Sequence, residues 1–172
     1  MFDLEEYRVT KYNPDNRNSL GDYLMDEWTS FSDIGKKYEG KIFTMSDYIK
    51  TENNYIKAIN NFMKCTSTVE LKIVDLEVNS ADLDDSYTMS MKQVYNKLKK
   101  GMLVGKSEIP DACRLILRED IWGKLVSENM FVHFGYDYYM YIGVKNGCRS
   151  AIEETEKMGL FVEKFQSPYS AM

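Results

Sequence analysis

The stretch MFVHFGYDYYMYIGVKNGCRSAIEETEKMGLFVEKF, residues 130–165, decides the fold class. Met130 to Phe134 and Tyr138 to Val144 are two apolar and aromatic runs separated by Gly135-Tyr136-Asp137, a spacing suited to a β-hairpin. A helical pattern then runs from Cys148 to Met158 and stops at Gly159, and Leu160 to Phe165 reads as another strand. Together they predict a C-terminal β-β-α-β unit able to bury its helix on one sheet face.

Upstream, the pattern is also mixed. Tyr7 to Tyr12 alternates as a half-buried strand and stops at Asn13-Pro14. Leu20, Leu24 and Trp28 recur four apart and predict an amphipathic helix from Ser19 to Trp28, with Ser30 or Ser32 capping a further turn toward Ile34. From Thr44 or Ser46 to Cys65, the residues Tyr48, Glu52, Tyr55, Ile56, Ile59, Phe62 and Met63 fall on one helix face. Val69, Leu71, Ile73, Leu76 and Val78 then keep a spacing near two, as a strand requires. A helix from about Ser90 to Lys100 closes on Gly101, and another from Ser107, with Pro110 in its first turn, runs through Leu115 and Ile116 toward Trp122. Residues 1–172 are therefore read as a single α+β domain with a mixed or antiparallel sheet flanked by helices.

Composition narrows the function classes. With 172 residues, 44% of them apolar, and no Gly-, Pro- or Ser-dominated tract, the chain can bury a core throughout. The acidic start MFDLEEYRVTKY lacks the bases of a signal peptide, and no apolar run reaches membrane-spanning length, so a cytoplasmic location and no membrane partner are expected. Cys65, Cys113 and Cys148 are odd in number, far apart and without metal-ligand spacing, which reads as three reduced core residues. A formal charge of −5 argues against direct nucleic-acid binding and suits a basic partner.

Candidate chemistry is sparse. His133 is the only histidine, so two-imidazole acid–base catalysis is excluded, and alternation places its side chain beside Phe131, as for a buried residue with one hydrogen bond. One His with three scattered Cys does not make a zinc site, and Asp82, Asp84 and Asp85 lack the Gly and terminal Glu of a calcium loop. No glycine-rich phosphate loop or nucleophile motif is present, so no cofactor, metal or catalytic residue is assigned. Arg114 and Arg118, four apart beside Glu119 and Asp120, read as ion-pair formers, with phosphate binding as the alternative.

Two features point instead to a protein partner. Asp75, Glu77, Asp82, Asp84 and Asp85 form an acidic run with no base, entering an exposed loop at about 79–86. Tyr136, Tyr138, Tyr139 and Tyr141 surround the hairpin turn, and alternation leaves some of them off the core face, where they either serve an interface or belong to a second buried sheet face covered by a helix. Candidate partner-binding residues are Asp75, Glu77, Asp82, Asp84, Asp85, Tyr136, Asp137 and Tyr139.

Several strings, taken as a set, resemble a family of small cytosolic bacterial proteins: YRVTKYNP at 7–14, DEWTSFSDIGK at 26–36, LILRED at 115–120, FGYDYYMYI at 134–142 and GLFVEKFQSPY at 159–169. The family includes immunity proteins of polymorphic and contact-dependent growth-inhibition toxin systems. The resemblance implies stoichiometric binding of a cognate toxin domain, such as a nuclease, and supplies no catalytic residues. Two alternatives stay open: a small-molecule or nucleotide-processing enzyme with a pocket joining His133, Asp137, Tyr139, Arg114 and Arg118, and a regulatory interaction module.

Overall fold

The computed structural model describes residues 3–170. In chain order its elements are β1 (Glu5–Thr10), the small hairpin of β2 (Lys37–Tyr38) and β3 (Lys41–Ile42), α1 (Met45–Cys65), β4 (Glu70–Val78), α2 (Met89–Lys97), β5 (Leu103–Gly105), α3 (Ile109–Leu117), β6 (Ile121–Val126), β7 (Met130–Phe134), β8 (Met140–Val144), α4 (Arg149–Lys157) and β9 (Phe161–Lys164). Among the described residues the main sheet has seven strands in the order β5-β4-β6-β7-β8-β1-β9, and its neighbours pair antiparallel. The expected hairpin of β7 and β8 is present, with Val132 opposite Ile142. The C-terminal unit closes only with help from the other end of the chain, because β1 inserts between β8 and β9 and pairs with both.

Alternation sorts this sheet into two unlike faces. Tyr7, Val9, Leu71, Ile73, Leu125, Val132 and Ile142 point inward and merge with buried residues of α1 to α4 into one core. Arg8, Lys124, Phe131, His133 and Tyr141 alternate with them and fall on the outer face. Phe131 crosses directly opposite Gly143, where a Cβ would lie 2.2 Å from its ring; this close approach is what glycine permits at that position.

Helix α1 follows its sequence pattern closely. Thr44 and Asp47 exchange a reciprocal capping box, worth about 1 kcal/mol, and the expected face from Tyr48 to Met63 is buried. That face includes Glu52, only 1% exposed, which accepts two hydrogen bonds of 2.8 Å from Arg118 at the end of α3, with Arg114 at 3.4 Å. Both arginines therefore make ion pairs, one of them buried. Arg118 also lies over the rings of Phe31, Tyr48 and Tyr87.

Three sequence expectations are corrected. Residues 19–28 form no helix: the Asn18 side chain accepts from the backbone N–H of Leu20 and Asp22, and Gly21 takes φ +88°. Such local Asn–Gly turn chemistry competes with helix formation, and the apolar spacing is coincidental, since Leu20 is 86% exposed. The helix expected to approach Trp122 ends at Leu117; Glu119 turns left-handed at φ +66°, and Trp122 belongs to β6. The short strand β5 was also hidden beside the Gly101 turn.

The third correction concerns cysteine. Cys65 at the end of α1 is disulfide-bonded to Cys148 just before α4, while Cys113 remains a buried thiol whose pKa is raised chiefly by burial. Spacing rules examine neighbours in sequence, whereas packing of α1 against α4 brings together residues 83 apart. Without three reduced thiols, cysteine usage no longer argues for a reducing compartment.

Two outcomes are expected. Glu52→Gln, which leaves Arg118 buried without its counter-charge, should cost about 3–5 kcal/mol in urea unfolding, whereas Glu52→Leu with Arg118→Met should recover most of that loss. Reducing agent, or Cys148→Ser, should lower stability by about 2–4 kcal/mol in the same assay; an unchanged midpoint would mean that the bond contributes nothing.

Candidate interaction site

The hairpin turn between β7 and β8 is held from behind by two tyrosine hydroxyls. Tyr12 donates to the Asp137 carbonyl at 2.6 Å, and Tyr55 donates to the Tyr138 carbonyl at 2.9 Å while accepting from the Lys11 N–H. Asp137 and Tyr138 both take left-handed conformations, with φ of +57° and +66°. The four tyrosines thereby part company. Tyr138 turns into the core against Tyr48, Tyr55 and Trp28, whereas Tyr136 is left 86% exposed. Tyr139 stacks on Tyr12 and accepts from Arg17 at 2.8 Å. Tyr141 lies on the outer sheet face with Phe165 and Tyr169.

That outer face is covered in part by the C-terminal segment rather than by a helix. Glu6 accepts from the backbone N–H of Ser167 at 2.6 Å and from the Ser170 hydroxyl at 3.0 Å. Lys124 donates to the Tyr169 carbonyl at 3.2 Å. His133 is buried, stacked on Phe131 with ring centroids 4.0 Å apart, and its Nδ1 is 2.8 Å from the Ser167 hydroxyl. Because that hydroxyl already accepts from the Tyr169 N–H, its own proton is available to a neutral imidazole. The expectation of a buried histidine with one hydrogen bond matches this geometry.

Two clefts flank the segment and share Tyr169 as a wall. The first, about 540 Å³, contains Asp75, Lys124 and His133. Asp75 sits at an irregularity of β4, at φ +54°, and pairs with Lys124 at 3.4 Å. The second, about 790 Å³, brings together Glu77 from β4, Glu119 from the turn after α3, Trp122 from β6, Tyr136 from the hairpin and Tyr169. Among the described residues no lysine, arginine or histidine lines it. Trp122 donates its indole N–H to the Phe134 carbonyl at 3.0 Å, which fixes the ring in the cleft wall.

The candidates read from sequence are thus divided. Glu77 and Tyr136 meet in one cleft, and Asp75 lines its neighbour. Asp82, Asp84 and Asp85 lie in the exposed loop after β4: Asp84 accepts from the Ser86 N–H, its carboxyl held down chiefly by bonds from Ser86, and Asp85 pairs with Lys92 on α2. Asp137 and Tyr139 contribute to the tyrosine-strapped turn. Glu119, Trp122 and Tyr169 join the cleft without belonging to the acidic run or the tyrosine hairpin; the left-handed turn and the returning C-terminal segment that place them have no short-range sequence signature. The pocket postulated to join His133 to Arg118 is not formed, since His133 is on the outer face with Ser167 and Arg118 is on the helical side with Glu52.

Burial, with the Lys124 charge second, pushes the His133 imidazole down from 6.5 to about 4. Between those values the unfolded chain takes up a proton that the folded chain refuses, so this contribution is complete above pH 6.5 and lost as the pH falls toward 4. Its size is on the order of 3 kcal/mol. Urea unfolding of the wild type and His133→Leu at pH 7.5 and pH 4.5 should show a smaller pH-dependent loss in the variant; equal losses would mean that His133 does not titrate this way.

No helix among the described residues is long and apolar enough to cross a membrane, and none of their acidic, histidine and cysteine side chains cluster as a metal site. Compared with known proteins, the chain matches no family model, no curated protein and no solved structure.

Proposed function

We propose that this chain is an immunity protein that neutralises a cognate bacterial toxin domain by stoichiometric binding. The observation that carries the reading is the meeting of Glu77 and Tyr136, one from the acidic run and one from the tyrosine hairpin, in a single cleft without a basic side chain. Carboxylates beside exposed aromatic rings suit a basic protein surface, because rings supply contact area at small entropic cost while the charges favour a positive partner. Asp82, Asp84 and Asp85, on their exposed loop, would act at longer range by steering that partner toward the cleft. A toxin that cleaves nucleic acid fits this chemistry, since its own substrate cleft must be positive.

The test begins with capture from the source bacterium at low and high salt. A basic domain should be recovered that arrests growth when expressed alone and ceases to do so when co-expressed with this chain. With the purified pair, Tyr136→Ala should weaken binding by about 2 kcal/mol, roughly thirtyfold. Neutralising Asp82, Asp84 and Asp85 together should slow association about tenfold at low salt and little at high salt. A captured domain without toxicity would overturn the reading, and unchanged association after neutralisation would remove the steering role.

A further inference from the structure

The cleft between β4, the α3–β6 turn and the hairpin contains more chemistry than a generic acidic surface. Glu77 and Glu119 are both exposed, and neither carboxylate has an ion-pair partner among the described residues. Aromatic side chains adjoin them: half-buried Trp122 and Tyr169, with ring centroids 5.9 Å apart, and Tyr136 standing almost fully in solvent. Because the Trp122 N–H is consumed by Phe134, the indole offers the cleft its π system rather than a donor. On its outer side β4 is paired by β5 only over Glu70–Lys72, so the Glu77 end of the strand is not covered by that neighbour.

Aromatic faces attract cations through their quadrupole, and unpaired carboxylates complete the attraction at the charged head. A planar guanidinium exploits both better than an ammonium does, since it stacks on a ring while its N–H groups bond to carboxylate oxygens. We infer that this cleft is a receptor for one arginine side chain projecting from a partner protein. The inference rests on the protein-binding reading above and assigns that partner its anchoring residue. Glu77 and Glu119 receive the guanidinium, and the cleft-lining rings of Trp122, Tyr136 and Tyr169 offer it an aromatic face.

The experiment uses the full chain and small peptides, so its result does not depend on finding a toxin. Acetyl-Gly-Arg-Gly-amide, titrated against ¹⁵N-labelled protein, should move the Trp122 indole N–H signal and leave that of Trp28 in place. The peptide with citrulline instead of arginine, the same shape without the charge, should produce at least tenfold less effect at equal concentration. Glu77→Gln with Glu119→Gln, two exposed positions, should weaken the arginine peptide by about tenfold while the rest of the spectrum stays folded. An unmoved Trp122 signal, or equal shifts with arginine and citrulline, would overturn the assignment. If the arginine peptide binds but no captured domain is toxic, the immunity reading falls and the arginine site stands; a toxin bound with an unmoved Trp122 would have the opposite meaning.

Discussion

The buried pairing of Glu52 with Arg118 is the constraint from which the geometry of the binding end follows. A carboxylate almost wholly removed from water is tolerable only when its charge is answered, and Arg118 answers it with two hydrogen bonds of 2.8 Å. This locks the middle of α1 to the last turn of α3. One residue later the chain turns left-handed, and Asp120 accepts from Tyr87 and Ser80, tying down both ends of the acidic loop. The chain then enters β6 with Ile121 in the core and Trp122 on the outer face. An interaction on the helical side thus fixes which wall the cleft presents on the other.

The second constraint is the return of both termini to the same strands. With β1 between β8 and β9, Arg8 reaches Glu163 through two bonds of 3.1 Å and lies over Phe165. Glu6, on the same face of β1, gathers Ser167 and Ser170, and the chain brings Tyr169 across the sheet to Trp122. An outer face bearing Phe131, His133 and Tyr141 is thereby covered without a second helical layer. Burial under that cover pushes the His133 imidazole below its ordinary range, and its contact with Ser167 makes the only imidazole of the chain a structural member of the segment's anchorage.

Legibility differed by element for physical reasons. Helix α1 was readable because a single face of 3.6-residue period and a Thr–Asp capping box agree, and even Glu52 declared itself by falling on an apolar face. The β7–β8 hairpin was readable from its length and aromatic runs. The segment at 19–28 misled because its spacing of leucines copied a helix while Asn18 and Gly21 carried the stronger local chemistry. For β6, Ile121, Gly123 and Leu125 alternate, yet the left-handed turn that separates the strand from α3 falls at Glu119, a residue type that does not announce a helix stop.

By itself the sequence determined what depends on near neighbours: an α+β chain, its main helix and hairpin, an acidic surface, and a lone histidine without a catalytic companion. Tertiary structure alone decided which distant residues share a site. The Cys65–Cys148 bond, the placement of β1 between β8 and β9, and the cleft joining Glu77, Glu119, Trp122, Tyr136 and Tyr169 all unite residues tens of positions apart. Periodicity records the face on which a residue lies, because that is set within a few residues along the backbone; it does not record what lies opposite, which is settled only when helices and strands compete to bury the same apolar surface.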